Sequence, residues 1–178
     1  LIAEESDHEV SFYLYKARDE DDRVFAPVRE AGLFVAEAAG DQRYRVLKNL
    51  IHTSQVIIDG LLGIGLRLPI KGELADFMDA VQKAIAAARQ PESSLAYQTP
   101  AEPAAWTEAG PYIIAVDCPS GLDCDTGAVD PMAIKADETV TFIAAKPGQV
   151  LFPGAGMVGT LHIADIGVPP KLYKDISL

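Results

Sequence analysis

The fold of this chain is decided by the stretch Tyr112-Ile113-Ile114-Ala115-Val116-Asp117. A short, wholly apolar run is typical of a strand that is buried on both faces of a parallel sheet. Val56-Ile57-Ile58 repeats this pattern and also ends on an acid, Asp59. Two later β-rich runs, at residues 139–143 and 160–164, predict further strands of the same sheet.

Segments with helical spacing alternate with these strands. From Glu73 onward a long helix is predicted, because apolar residues recur every three or four positions. Its apolar stripe consists of Leu74, Phe77, Met78, Val81, Ile85 and Ala88. Shorter helices are predicted around residues 24–31 and 44–51, and additional strands near residues 8–15 and 33–36. The alternation predicts a single α/β domain over residues 1–178, with a mostly parallel sheet and helices on both faces.

Composition and charge exclude several classes of protein. With 15 basic and 26 acidic residues, the net charge of −11 would repel a nucleic-acid backbone. No apolar run approaches the roughly 18 residues that span a bilayer, and Leu1–Glu5 does not resemble a signal peptide. Cys118 and Cys124 match neither a disulfide scaffold nor a zinc site, so we expect reduced thiols in a cytoplasmic protein. Residues 91–110 are rich in proline and lack periodicity, which predicts a surface excursion.

The acids at two strand ends are the first candidates for function. Ligands of open parallel sheets bind in the crevice beyond the carboxyl ends of the strands, where Asp59 and Asp117 are expected. The alternative is that each carboxylate caps a local turn or the following helix. Because two neighbouring strands each end on an acid and a glycine-containing loop, the pattern favours a binding site.

Each acid opens a loop with its own chemistry. After Asp59, glycines 60, 63 and 65 allow close approach of a ligand, and Arg67 is suited to pairing with phosphate. The loop is not the G-x-G-x-x-G dinucleotide fingerprint, because the third glycine is missing. After Asp117, the Pro119-Ser120-Gly121 turn lacks the G-x-S-x-G nucleophile elbow, since Cys118 stands where glycine is required. A turn that presents the Ser120 oxygen to a ligand or a hard cation fits better than a hydrolase.

Five motifs, in order, resemble the YjeF N-terminal domain family of NAD(P)H-hydrate epimerases. They are Asp59-Gly60-Leu61-Leu62-Gly63-Ile64-Gly65-Leu66, Val116-Asp117-Cys118-Pro119-Ser120-Gly121-Leu122-Asp123, Thr139-Val140-Thr141-Phe142 with Lys146-Pro147-Gly148, Pro153-Gly154, and Asp165-Ile166-Gly167-Val168-Pro169. The resemblance implies a Rossmann-like three-layer α/β/α domain that acts on damaged nicotinamide cofactors. Such an enzyme would interconvert the R and S forms of hydrated NADH or NADPH, so that a dehydratase can act on the S form.

The resemblance also implies roles for individual residues. Asp117 would contact the substrate and act as the acid/base group that breaks and re-forms the C–O bond. The substrate-binding loop would consist of Gly63, Ile64, Gly65, Leu66, Arg67, Leu68 and Pro69. Asp59 and Ser120 would be ligands of a potassium ion. Expected partners are a small-molecule substrate, a second copy of the chain, and an ADP- or ATP-dependent dehydratase that is fused or separate.

Three positions depart from the family's pattern. Ile64 replaces the usual threonine, and Cys118 replaces an aliphatic residue. The N-N-G-G-D-G phosphate-binding loop does not occur, and we expect it upstream of Leu1, so that the domain lacks its N-terminal portion. These departures keep open an alternative function, a non-catalytic nucleotide-binding or partner-binding module on the same fold.

Overall fold

The computed structural model describes residues 8–63, 65, 67–89 and 110–169. Ile64, Leu66 and most of the expected excursion at 91–110 lie outside the described residues. The described strands are β1 (Ser11–Leu14), β2 (Phe34–Glu37), β3 (Val56–Asp59), β4 (Tyr112–Val116), β5 (Glu138–Phe142) and β6 (Thr160–Ala164). The described helices are α1 (Ala26–Glu30), α2 (Arg45–Thr53), α3 (Glu73–Ala88) and α4 (Pro147–Val150).

All paired strands are parallel, which confirms the predicted α/β class. The strands form two sheets, β1-β2 and β3-β4-β5-β6, rather than the one sheet that the sequence predicted. The difference arises because no strand of the described residues joins β1 to β3. The two sheets nevertheless share one core, since Tyr13 of β1 and Ile57 of β3 both pack against the same buried cluster.

Helices α2 and α3 supply most of that core. Leu47 and Ile51 of α2 are buried, as are Phe77 and Met78 of α3. They cover the face of β3 and β4 that carries Ile113, which is fully buried. The alternate residues Val56, Ile58 and Val116 point to the opposite face and are 52%, 64% and 37% exposed. Among the described helices, none is long and apolar enough to cross a membrane.

Asp41 fixes the start of α2. Its carboxylate accepts the backbone N–H groups of Val46 (3.0 Å) and Leu47 (2.9 Å), together with the Tyr13 hydroxyl (3.1 Å). These bonds satisfy N–H groups that a helix start leaves without partners. Burial raises the pKa of Asp41, but the hydrogen bonds lower it by more, so its pKa lies below the ordinary value.

The parallel register brings the predicted acids to one edge of the larger sheet. Asp59 at the end of β3 lies beside Ala115 of β4, and Asp117 follows β4 directly. Val116 in turn pairs with Val140 of β5, so the ends of β3, β4 and β5 are neighbours. The candidate site is therefore built from the loops that leave these three strands.

Candidate active site

Asp59 and Ser120 form a buried pair. The Ser120 hydroxyl donates to Asp59 Oδ1 at 2.6 Å, and the Ser120 backbone N–H donates to Oδ2 at 2.8 Å. Ser120 Oγ also accepts the Leu62 N–H at 3.0 Å, which ties the loop after β3 to the turn after β4. Asp59 is 5% exposed and Ser120 is fully buried. The structure thus brings together the two residues that the sequence assigned to one cation.

Burial raises the pKa of Asp59, against the hydrogen bonds that lower it. A carboxylate removed from water is costly unless a cation or several donors compensate its charge. The side chains of Asp59 and Ser120 present oxygen atoms, which are the ligands of hard cations. The pair therefore supplies oxygen ligands of the kind that a hard cation takes.

Asp117 adopts an unusual backbone conformation at the end of β4. Its φ angle is +64°, in the left-handed region that side-chain-bearing residues rarely occupy. Aspartate tolerates this region better than most residues. Strain of this kind tends to occur at functional positions, where the surrounding structure maintains it.

The carboxylate of Asp117 has three donors on one oxygen. Oδ1 accepts Thr141 Oγ1 at 3.0 Å, the Phe142 N–H at 3.3 Å, and the ammonium of Lys146. Burial raises the pKa of Asp117, but the bonds from Lys146, Phe142 and Thr141 outweigh it, so the pKa lies below its ordinary value. Asp117 is therefore a carboxylate at neutral pH. It can accept a proton there but carries none to donate at rest.

The described residues of the predicted substrate loop lie mainly on the surface. Gly63, Gly65, Arg67 and Pro69 are exposed, whereas Leu68 is half-buried against the core. Exposed glycines and an exposed guanidinium suit a loop that meets a ligand.

Asp130 anchors the end of this loop and was not singled out from the sequence. Its carboxylate is 4% exposed and accepts the Ile70 N–H at 2.8 Å and the Met132 N–H at 2.9 Å. The loop after β3 is thereby connected to the segment that follows the Ser120 turn. Sequence spacing gave no sign of it, because the contact with Ile70 spans 60 residues.

The expectation of reduced thiols is wrong for this structure. Cys118 and Cys124 form a disulfide, with Cα atoms 6.7 Å apart. The chain turns between them, as shown by the Leu122 N–H donating to Pro119 O. Both cysteines then point into a small apolar cluster with Leu122 and Val158.

Comparison with known proteins places this geometry in a family. The model of the YjeF-related protein N-terminus matches residues 5–148, which include both strand-end acids, the Ser120 turn and Lys146. The chain belongs to this family. The match confirms the resemblance that the sequence motifs indicated.

Relatives of the chain include one protein that is named an epimerase and one that is named a bifunctional enzyme. It is 33% identical over 156 residues to an NAD(P)H-hydrate epimerase from Clavibacter michiganensis subsp. michiganensis, covering 82% of this chain and 59% of the relative. It is 30% identical over 151 residues to a bifunctional NAD(P)H-hydrate repair enzyme Nnr from Thermofilum pendens, covering 85% of this chain and 24% of the relative. The chain thus spans less than two thirds of either relative.

A solved structure supports the fold. The yeast protein Ynu0 (YNL200c) aligns with a TM-score of 0.57 at 17% identity, covering 89% of this chain and 55% of the yeast chain. At this identity the similarity concerns the fold alone.

Proposed function

We propose that this chain is the catalytic part of an NAD(P)H-hydrate epimerase, which interconverts the R and S forms of hydrated NADH and NADPH. The observation that carries the proposal is the Asp117 carboxylate, held ionised at a strained strand end on the sheet edge from which the glycine loop also leaves. Relatives such as the one from Clavibacter michiganensis subsp. michiganensis bear the name of this activity.

A carboxylate in this position suits the reaction. Inversion of the hydroxyl-bearing ring carbon breaks its C–O bond, and the electron pair leaves with the oxygen. The ring nitrogen then supplies its lone pair and becomes positively charged, and an anionic Asp117 facing the ring would stabilise this cation. Water adds to the opposite face, and Asp117 transfers the proton that the incoming water loses to the departing hydroxide. Atoms and charges therefore balance over one turnover.

The remaining expected roles belong to the same proposal. The loop from Gly63 to Pro69 would line the substrate site, with Arg67 near the phosphates. Asp59 and Ser120 would hold a potassium ion, whose charge would offset the buried Asp59 carboxylate and fix the turn that carries Asp117. The Nnr-type relatives are bifunctional by name, which supports a dehydratase as a fused or separate partner.

The experiment follows both epimers over time. Purified R-hydrate is incubated with the protein, and R and S forms are separated by chromatography at intervals. We expect rapid equilibration with wild-type protein and the uncatalysed rate with Asp117→Asn. Asp125→Asn is the matched control, because Asp125 lies exposed in the same loop and accepts no hydrogen bond from the described residues. If the R-hydrate converts to the S form no faster with wild-type protein than without it, the proposal is refuted and a non-catalytic binding module is favoured.

A further inference from the structure

Lys146 reaches the candidate site from a different element than the predicted residues do. It precedes α4 and lies 29 residues after Asp117. Its ammonium donates to the Asp117 carboxylate, to Thr141 Oγ1 at 2.6 Å and to the Phe142 carbonyl at 3.2 Å. Its three protons therefore have three acceptors, and the group is held in one orientation.

Gln149 forms hydrogen bonds with the backbones of both Asp117 and Lys146. Its side chain is 1% exposed, and its amide Nε2 donates to the Asp117 carbonyl at 2.6 Å. The other end of the same amide, Oε1, accepts the Lys146 N–H at 2.8 Å. One buried amide thus joins the residue with the left-handed backbone to the residue that neutralises its charge.

Gly148 allows the first turn of α4 to lie close to the turn that follows Asp117. Its N–H donates to the Cys124 carbonyl at 2.7 Å. A Cβ atom at this position would overlap the Asp123 carbonyl and would lie 2.8 Å from Cys124 backbone atoms. The first turn of α4 therefore packs directly on the turn that follows Asp117, and only glycine permits this contact.

The other acids near the site are occupied elsewhere. Asp59 bonds to Ser120 and to the Leu61 N–H, and Asp123 accepts the Asp125 and Thr126 N–H groups. Among the described residues, Lys146 is the charged group that contacts Asp117, and both side chains are about one fifth exposed (22% and 23%). No described residue donates to Asp117 Oδ2, which leaves that oxygen available for a substrate.

We propose that Lys146 is a positioning residue for Asp117. The Lys146 ammonium holds the carboxylate ionised through its bond to Oδ1 and leaves Oδ2 for the substrate. Gln149 maintains the spacing between the two residues. For its kinetic readout this inference rests on the proposed epimerase function. It assigns a role to the Lys146-Pro147-Gly148 motif.

The test compares Lys146→Met, Lys146→Gln and Lys146→Arg with Lys135→Met. Lys135 is exposed and forms no hydrogen bond within the described residues, so its substitution controls for loss of a surface charge. An opposite charge at this distance lowers a carboxyl pKa by about 1 to 3 units. In both neutral Lys146 variants, the acid limb of the kcat/KM profile should therefore move up by that amount.

The remaining variants separate charge from packing. Lys146→Arg retains a cation, so its acid limb should stay close to the wild-type position, as should that of Lys135→Met. A purely structural role for Lys146 would lower the unfolding temperature without moving the limb. An unmoved limb in folded Lys146→Met and Lys146→Gln would overturn the proposal.

A second readout does not depend on activity. The side-chain carboxyl carbon of Asp117 is titrated by ¹³C NMR in wild-type protein and in Lys146→Gln. We expect the midpoint to rise by about 1 to 3 pH units in the variant, and an unchanged midpoint would overturn the proposal. If wild-type protein shows no epimerase turnover, the proposed function fails, and the NMR titration still decides the role of Lys146.

Discussion

Replacement of Asp130 by asparagine tests how the loop after β3 is held to the body of the protein. The substitution keeps the size of the side chain, so it creates no cavity. It leaves one acceptor oxygen where the carboxylate has two, one for the Ile70 N–H and one for the Met132 N–H. One of these N–H groups must then face the amide nitrogen of the new side chain.

The magnitude follows from the two bonds. A hydrogen bond to a charged acceptor stabilises a protein by about 1.5 to 3 kcal/mol, and a bond to a neutral acceptor is roughly half as strong. Losing one bond and weakening the other predicts a decrease of about 3 kcal/mol in the free energy of unfolding. With a urea m-value of about 2 kcal/mol/M, the midpoint should fall by about 1.5 M.

The assay is urea unfolding followed by circular dichroism, with Asp79→Asn as the matched control. Asp79 forms an exposed helix-surface pair with Lys83, for which about 0.3 to 0.5 kcal/mol is expected. Hydrogen exchange at the Ile70 amide gives a local measure and should accelerate only in Asp130→Asn. If the two variants unfold within about 0.3 M urea of each other, the reasoning that Asp130 anchors this loop is refuted.

Three further predictions concern other parts of the chain. Asp41→Ala should lower the free energy of unfolding at pH 7 by about 2 kcal/mol. Because the folded pKa of Asp41 is lowered, the charge-dependent part of this difference is present above the unfolded pKa of about 3.9 and should be lost as the pH falls through the folded value, which urea titrations at several pH values would show. Gly159→Ala should lower the unfolding temperature far more than Gly40→Ala, because a Cβ at Gly159 overlaps the Asp137 carbonyl at a φ of +60°, whereas Gly40 has open space. Potassium chloride should raise the unfolding temperature of wild-type protein relative to choline chloride of equal ionic strength, and Asp59→Asn should abolish that difference; an equal rise in the variant would argue against a cation at Asp59.

The sequence predicted those features that local patterns encode. Val56–Ile58 and Tyr112–Val116 were identified as strands because their apolar runs need no tertiary information. The expectation that both faces of these strands are buried is wrong, since Val56, Ile58 and Tyr112 are exposed on the outer face. The meeting of Asp59 with Ser120 was anticipated through the family motifs, and the structure places them in direct contact. A residue at the carboxyl end of a parallel strand lies at the edge of the sheet, so its place in the sequence predicts its place in the fold.

Contacts between distant loops could not be predicted in the same way. The pairing of Lys146 with Asp117 depends on how closely the first turn of α4 approaches the turn after β4, and that distance is not encoded in spacing. A lysine shortly after the β5 run, at the same sheet edge as Asp117, was the one available signal. The Cys118–Cys124 disulfide was missed because the turn between the two cysteines brings the sulfurs together. The sequence predicted one sheet, whereas the described strands form two, β1-β2 and β3-β4-β5-β6.

The uncovered outer face of β3 and β4 has a calorimetric consequence. Val56, Ile58 and Tyr112 are 52%, 64% and 42% exposed in the folded chain, so their apolar area is already partly hydrated before unfolding. The heat-capacity increase on unfolding reflects newly hydrated apolar surface, at about 12 to 15 cal/mol/K per residue in ordinary domains. The exposed area at these three positions therefore lowers the heat-capacity increase of this chain. Any polypeptide that comes to lie on this face should raise that increase, so that heat capacity reports whether the sheet is covered.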